Sequence, residues 1–364
     1  MDFTSTTALL AGPRGRGLCL ELARITAPRR PGESYGSTVL PAPGLSRESE
    51  QVLRILAGIP DRPVFSGSDL HRSLARIVRQ AVYWQPPDET AQLLTEAEPC
   101  RALLQVAAAV VRSPAAAWWS DPAAPVTHCV QWVQTSTVPG TPPPALDDAG
   151  PALARWRSGI TAQESNTPFS TGWTGRWWSS PTLSGLVSST PAVPGNGPAG
   201  LELVEDALGW TLARSYPVRP APGARICEIR GPGDWQDLAV RYPLEVTRSR
   251  GSTWNLAVPQ TGDWTWVIPD FTAVADEYDA VHLTVIGYLS TAGAVLAAGE
   301  AKTMLAGWGP GETWWLNDVL APAGEPTNWQ RASAPHTTPR PGSAADDPFA
   351  AGLDGVCWQV QARQ

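Results

Sequence analysis

The sequence has little positive charge other than arginine. Lys302 is its single lysine among 27 basic residues, and 34 acidic residues give a net charge of −7. Proteins that coat nucleic acids or bind anionic membranes depend on an excess of positive charge. We therefore expect no nucleic-acid partner for this chain.

Long hydrophobic runs are also missing. The longest apolar stretch, 102–111, is interrupted by Gln105 and is shorter than the roughly 18 residues that a membrane-spanning helix needs. The sequence opens with an acidic residue, Asp2, and its first apolar run, 8–11, is too short for the core of a signal peptide. These features predict no membrane association and a cytoplasmic location.

Cysteine and histidine are sparse, at five and four residues, and neither has a metal-binding spacing. Scattered cysteines in odd number favour a reducing compartment over a disulfide framework. Cys19, Cys227 and Cys357 stand in alternating apolar patterns, which predict strands with buried thiols. The glycine-rich run 12–17 is predicted to be a loop. Phosphate-binding loops, nucleophile elbows and dinucleotide-binding motifs are missing as well.

The first third of the chain has helical patterns. Ser46 and Ser68 are predicted N-caps of two amphipathic helices, and a third, alanine-rich helix is predicted over 101–112. The 37 prolines and 33 glycines nevertheless exclude an all-helical bundle. The later part of the chain must therefore contain strands and many loops.

A repeated pattern marks the second half. Residues 234–242 and 270–278 both read Asp-aromatic-x-x-aliphatic-Ala-x-x-Tyr, with Trp235 and Phe271 as the aromatic residues. The apolar positions fall at i, i+3, i+4 and i+7, which is one face of a short helix with the aspartate as its predicted N-cap. Strand-like runs flank each copy. The pattern predicts two strand–short helix–strand units.

These observations together predict an α+β fold, with an N-terminal helical subdomain followed by a tryptophan-rich domain of mixed and antiparallel sheets. The predicted boundaries are 1–137 for the mainly helical region, 138–151 for a proline-rich linker, 152–320 for the α+β domain, 321–348 for a loop rich in proline, alanine and aspartate, and 349–364 for a closing strand.

Tryptophan is the positive anomaly, with 18 residues, many of them beside polar ones. Its flat face suits stacking on a ligand ring and equally suits a core around a sheet. The stretch 279–289 is predicted to be a strand, on which His282 and Tyr288 share a polar face. That face is a candidate active-site wall. For His282 a buried structural role is the other interpretation.

Two resemblances involve these residues. Residues 279–289 and 306–316 are similar to motifs of uncharacterised actinobacterial proteins, and this resemblance supplies no activity. The Trp178-Ser179-Ser180 segment and Glu312, in a tryptophan-rich loop, resemble the layout of ADP-ribosyltransferase-like folds. Those folds bind NAD between two small mixed sheets.

The second resemblance implies roles for particular residues. His282 or Arg176 would hold the nicotinamide ribose region, and Tyr288 or Trp178 would stack on nicotinamide. Glu312 would bind the ribose 2′-hydroxyl and stabilise the oxocarbenium-like centre. The candidate catalytic residues are therefore Glu312, Tyr288 and His282, and the candidate cofactor-binding residues are Arg176, Trp178 and Ser179.

Two functional hypotheses follow. The first is an NAD-using transferase or glycohydrolase whose site lies between loop 173–181 and the segments of Tyr288 and Glu312, with NAD as substrate and no other cofactor. The second is a non-catalytic protein whose helical half binds an unidentified partner and whose tryptophans only fill the core. A shared pocket for Glu312, Tyr288 and Trp178 favours the first hypothesis.

Overall fold

The computed structural model describes residues 3–26, 46–133, 143–168, 174–182, 184–205, 209–258, 262, 264–333 and 356–361. Trp173 and residues 138–142 of the predicted linker lie outside these ranges. The fold is α+β, as predicted, with antiparallel and mixed sheets and tryptophan-rich aromatic clusters. No α-helix in the described ranges combines the length and the apolar character needed to cross a bilayer.

The α-helices of the described part are α1 (Phe3–Ala11), α2 (Pro13–Thr26), α3 (Arg47–Ala57), α4 (Gly67–Arg79), α5 (Glu89–Leu93), α6 (Ala97–Ala102), α7 (Leu104–Arg112), α8 (Ala149–Asn166), α9 (Pro232–Arg241), α10 (Thr247–Trp254), α11 (Phe271–Glu277) and α12 (Val285–Thr291). Short 3-10 helices span Pro114–Ser120, Ala199–Leu201 and Asn255–Ala257.

The strands of the same ranges are β1 (Thr127–Val133), β2 (Ser188–Ser189), β3 (Ala192–Val193), β4 (Gly197–Pro198), β5 (Leu212–Pro220), β6 (Ile226–Ile229), β7 (Pro243–Glu245), β8 (Val267–Pro269), β9 (Ala280–Leu283), β10 (Leu296–Ala298), β11 (Ala301–Thr303), β12 (Thr313–Trp315), β13 (Leu320–Pro322), β14 (Thr327–Ser333) and β15 (Val356–Val360).

Two of the N-terminal helices begin directly after a serine N-cap, where the periodic pattern of apolar residues starts. Ser46 caps α3 by accepting a hydrogen bond from the Ser49 amide. The cap of α4 is Ser66 rather than the predicted Ser68, and it forms a capping box with Asp69. One hydrophobic cluster joins these helices to the later sheets, since it contains side chains of α2, α4 and β9.

A four-stranded mixed sheet, in the order β2-β12-β9-β6, lies at the centre of the C-terminal half, and β6 and β9 are its parallel pair. Both predicted strand–short helix–strand units are present, as β6-α9-β7 and β8-α11-β9. Trp235 and Phe271 are fully buried, as the repeat implies. Asp270 caps α11, whereas α9 begins at Pro232, ahead of Asp234.

The second large sheet is antiparallel, in the order β1-β5-β14-β15, with β13 on β5. Strand β1, from the predicted helical region, pairs with β5 along its whole length. The Trp132 ring stacks on Trp210 with centroids 4.9 Å apart and lies 5.4 Å from Trp358. These three rings form an aromatic cluster on this sheet.

Four further predictions of local structure were wrong. The run 12–17 and Cys19 belong mostly to helix α2, because Gly12 and Gly15 approach the backbones of Ser290 and Leu9 closely rather than form a loop. Strand β14 and all but the first residue of β13 lie inside the predicted loop 321–348, and both strands pair with β5. The predicted strand over 279–289 ends at Leu283.

Candidate functional site

The glycine-rich loop 306–312 holds two carboxylates on alternate backbone amides. The Gly307 amide donates to Glu205 Oε2 at 2.8 Å, and the Gly309 amide donates to Glu312 Oε2 at 3.0 Å. Amides two residues apart are at most about 7 Å from each other. The loop therefore places two acidic groups, more than one hundred residues apart in sequence, beside one another.

Gly307 fits its position only as glycine. Its φ of 72° lies in the left-handed region, and an added Cβ would approach the Trp178 Cβ to 2.5 Å. The backbone of loop 306–312 is thus pressed directly against the backbone of Trp178. This close contact fixes the direction in which the Gly307 amide points.

Two buried tyrosines bind the other oxygen of Glu205. The Tyr83 and Tyr288 hydroxyls donate to Glu205 Oε1 at 2.5 and 2.7 Å. The Arg14 guanidinium lies 4.9 Å from the centre of the Tyr83 ring, and Trp177 stacks on the same ring at 5.2 Å. We call Arg14, Tyr83, Glu205 and Tyr288 the Glu205 cluster. It connects helices α2 and α12 with the segment before β5.

In the Glu205 cluster, burial and the neighbouring groups shift the pKa values of the side chains in opposite directions. Burial raises the pKa of Glu205, whereas Arg14, the two tyrosine hydroxyls and the Gly307 amide lower it. Burial also raises the pKa of Tyr83 and Tyr288 well above the usual tyrosine value, so both remain donors. Although burial lowers the pKa of Arg14, the groups around it raise that pKa above its ordinary value.

Glu312 is the other carboxylate of the loop and remains partly exposed. Its pKa is raised to about 7, mainly by burial and to a smaller extent by the charge of Glu205, against the opposing effect of hydrogen bonds from Gly309 and Ser188. A carboxyl group with a pKa near neutrality can exchange a proton in either direction at that pH. Glu312 thus has the titration behaviour of an acid–base group.

The serines of the Trp178-Ser179-Ser180 segment attach it to the loop. The Ser179 hydroxyl donates to the Ala306 carbonyl at 3.1 Å and accepts from the Ala306 amide at 2.9 Å. The Ser180 hydroxyl donates to the Gly307 carbonyl. Ser179 is fully buried by these contacts, so its predicted role in binding a cofactor is replaced by a role in positioning the loop.

Tyr288 differs from its prediction in secondary structure and in exposure. Thr284 caps helix α12, so Tyr288 lies on a helix and not on a continued strand with His282. The helix packs tightly there, because a Cβ at Gly287 would be 2.1 Å from the Ile229 carbonyl oxygen. Tyr288 is fully buried and its hydroxyl is bonded to Glu205. It has no ring face free for a nicotinamide.

His282 lies beside the end of the loop, since its neighbour Leu283 exchanges backbone hydrogen bonds with Gly311 and Glu312. It shares a row across the mixed sheet with Glu228 and Thr313, on the face opposite Val281 and Trp314. Its Nδ1 is 2.8 Å from Thr313 Oγ1, and its Nε2 is 4.0 Å from Glu228 Oε2. Burial lowers the pKa of His282 to about 4. The arrangement is that of a neutral, buried histidine.

We predict that His282 makes the protein sensitive to mild acid. The unfolded chain binds a proton at His282 below about pH 6.5, whereas the folded protein does so only near pH 4, so stability is lost as the pH falls between these values. The loss attributable to this residue is about 3 kcal/mol. Urea unfolding of the parent and of His282→Asn at several pH values measures it. Parallel curves for the two proteins would contradict the prediction.

Arg176 and Trp178 lie at the edge of this arrangement. Arg176 is close enough to Arg250 to help lower the pKa of that buried guanidinium to about 10, an effect that comes mainly from burial. Arg250 in turn donates to the Trp178 carbonyl at 2.9 Å. The Trp178 ring is partly exposed beside loop 306–312. Of the two predicted stacking residues, Trp178 alone is not fully buried, and the Arg250 guanidinium lies 6.0 Å from the centre of its ring.

The structure therefore brings Glu312, Tyr288, Trp178 and Ser179 together at loop 306–312, whereas the His282 ring contacts Thr313, the residue after the loop, and neither loop carboxylate. Sequence analysis missed Glu205, Arg14 and Tyr83. The one sequence signal for Glu205 is an acidic residue closing an otherwise largely apolar run, 201–205. Nothing local connects that run with Arg14 or Tyr83.

Cys19 and Cys227, two of the three predicted structural cysteines, have raised thiol pKa values, which fits that role, and the thiol pKa of Cys129 is raised as well. The side chain of the third, Cys357, lies outside the described part. Burial raises the pKa of Cys129 to about 12 and that of Cys227 to about 11, and raises that of Cys19 still further. No three His, Cys, Asp or Glu side chains in the described ranges lie close enough together to hold a metal ion.

Comparison with family models, with curated proteins and with solved structures found no match to this chain. The function of this chain must therefore be inferred from the geometry of loop 306–312 and of the Glu205 cluster.

Proposed function

We propose that this protein is an enzyme of glycosidic-bond chemistry that cleaves NAD and transfers the ADP-ribosyl group to water or to an acceptor hydroxyl. The observation that carries the proposal is the pair of carboxylates, Glu205 and Glu312, on alternate amides of one loop beside the partly exposed Trp178. Enzymes whose reactions pass through an oxocarbenium-like centre commonly have two active-site carboxylates in different environments.

The reaction breaks the bond between the ribose anomeric carbon and the nicotinamide nitrogen. The bonding electron pair leaves with nicotinamide, which becomes neutral and needs no proton. The oxygen of water or of the acceptor then bonds to the anomeric carbon, and its proton passes to a base. Glu312 is that base, since its pKa near 7 leaves a large deprotonated fraction at neutral pH.

The neighbouring residues support this step in different ways. The Trp178 face offers a surface on which the nicotinamide ring stacks. Glu205 is a positioning residue, because its hydrogen bonds to Gly307 and to the buried tyrosines hold the loop that carries Glu312. Its negative charge also raises the pKa of Glu312. His282 has no role in this scheme.

Glu312→Gln tests the proposal most directly, because the amide keeps the shape and removes the base. We expect NAD turnover to fall by about 10²-fold, as for the loss of comparable electrostatic groups. In the parent, turnover should rise with pH through about 7, because the deprotonated form is the active one. Glu300→Gln, at an exposed turn, is the matched control and should keep the parent rate.

A stability measurement checks the pKa of Glu312 without any substrate. The unfolded carboxyl ionises near pH 4.3 and the folded one near 7, so the parent loses stability as the pH rises between these values. Glu312→Gln should not show this loss and should be the more stable protein near pH 8. The absence of NAD turnover in a parent that shows this pH dependence would defeat the proposed activity while leaving the pKa intact.

One observation favours the second candidate, a non-catalytic interaction protein. Glu205, Tyr83 and Tyr288 are all buried and bonded to one another, which is what a purely structural connection between the helices and the sheet requires. If this candidate is correct, substitutions in the Glu205 cluster change stability alone, and the parent shows no NAD turnover. The predicted cytoplasmic location and the unidentified partner belong to the same proposal.

A further inference from the structure

A cavity lies on the antiparallel sheet, away from loop 306–312. Its volume is about 350 Å³, within the range of small-molecule sites. Its described lining includes five prolines, Pro143, Pro144, Pro217, Pro322 and Pro326, together with Arg214. Prolines have little side-chain freedom to lose on binding, so these walls are largely preformed.

Arg214 is the only charged side chain among those described lining residues. It is partly exposed, and its guanidinium lies 5.5 Å from the centre of the Tyr216 ring. The ion pairs of the described ranges do not include it. The cavity thus presents a positive charge that no carboxylate of the described chain neutralises.

Arg214 and its neighbours on the adjacent strands have buried polar atoms without hydrogen-bond partners. Gln131 on β1 and Asn328 on β14 flank it in register on one face of the sheet. Arg214 Nε, Gln131 Oε1 and Asn328 Oδ1 are buried and have no hydrogen-bond partner. Of these atoms Arg214 Nε is a donor, which an acceptor such as a carboxylate oxygen would pair, whereas the two amide oxygens are acceptors and do not bear on an anionic ligand.

We propose that this cavity binds a small apolar monocarboxylic acid, with the carboxylate on Arg214 and the apolar body between the prolines. A planar guanidinium matches a carboxylate in a two-point contact. A phosphate dianion would bring two charges to a wall with one cation, and a neutral ligand would leave Arg214 unpaired. The apolar walls require that the rest of the ligand be aromatic or aliphatic. The cavity shares no residue with the Glu205 cluster.

Calorimetry with trans-cinnamate as the probe tests this site. The uncharged amide of the same acid, cinnamamide, is the matched ligand. We expect cinnamate to bind at least about tenfold more tightly than cinnamamide, and Arg214→Gln to remove that preference. Arg219→Gln changes an exposed arginine on the opposite face of the same strand and should leave binding unchanged.

A cavity-filling variant gives a test that does not alter the charge. Leu146→Trp places a larger side chain in the lining and should abolish cinnamate binding while Arg214 is intact. This variant and the cinnamamide comparison also decide the question if Arg214→Gln fails to fold. Equal binding of acid and amide to the parent protein, or cinnamate affinity unchanged in Arg214→Gln, would overturn the proposal.

Discussion

Replacing Glu205 by glutamine is expected to destabilise the protein by about 3–5 kcal/mol, the usual cost of breaking a buried charge pair. The substitution leaves the buried charge of Arg14 without its counter-charge. It also weakens the acceptor for the hydroxyls of Tyr83 and Tyr288, which have no access to water as an alternative partner. Urea unfolding near neutral pH measures the change in the free energy of unfolding.

Two further variants separate charge from hydrogen bonding in the Glu205 cluster. Tyr288→Phe removes one hydroxyl and keeps the carboxylate, so its cost should be about 1–3 kcal/mol. Glu300→Gln removes an exposed charge and should change stability by less than about 0.5 kcal/mol. If Glu205→Gln is no more harmful than Glu300→Gln, the carboxylate is not the centre of the cluster.

Local patterns predicted the elements that depend on local chemistry. The repeated i, i+3, i+4, i+7 spacing identified α9 and α11 because the buried face of a short helix is written directly in the sequence. The same reasoning failed at 285–291, where valine, isoleucine and tyrosine favour a strand by propensity. Helix α12 forms there because Thr284 caps it and Gly287 allows it to lie against Ile229. That contact is not visible in a local pattern.

The candidate site shows the same division. Glu312 was predicted because it stands within a glycine- and tryptophan-rich run that is recognisable by itself. Glu205 was missed because its role depends on its partners Arg14, Tyr83 and Tyr288. These residues lie on three separate segments of the chain. Glycines were a second source of error. Gly12 and Gly15 were interpreted as loop residues, whereas they permit close contacts at α2.

The repeat and the site are connected through Trp308, which lies in loop 306–312. Trp235 and Phe271 pack against its ring with centroids 6.1 and 6.0 Å away. The Trp308 indole nitrogen donates to the Glu312 carbonyl at 3.1 Å. The two helices of the repeat therefore pack against the loop through Trp308. Trp308 in turn fixes the position of the Glu312 backbone.

Truncating Trp235 or Phe271 to alanine is expected to cost about 3–5 kcal/mol each, because both side chains are fully buried. Trp235→Ala also leaves the Thr303 hydroxyl without the indole donor, now 3.0 Å away. Val240→Ala, at an exposed position of the same helix, is the control and should cost less than about 0.5 kcal/mol. Chemical unfolding of the three variants gives these values.

The double variant tests whether the two aromatic residues act through Trp308. If they do, the combined loss in Trp235→Ala/Phe271→Ala should depart from the sum of the single losses by about 0.5–3 kcal/mol, because both variants open space beside one ring. Trp235→Phe refills part of that space and should recover part of the stability. Strict additivity of the two truncations would show that the helices support the sheet separately and that loop 306–312 is held by its serine and carboxylate contacts alone.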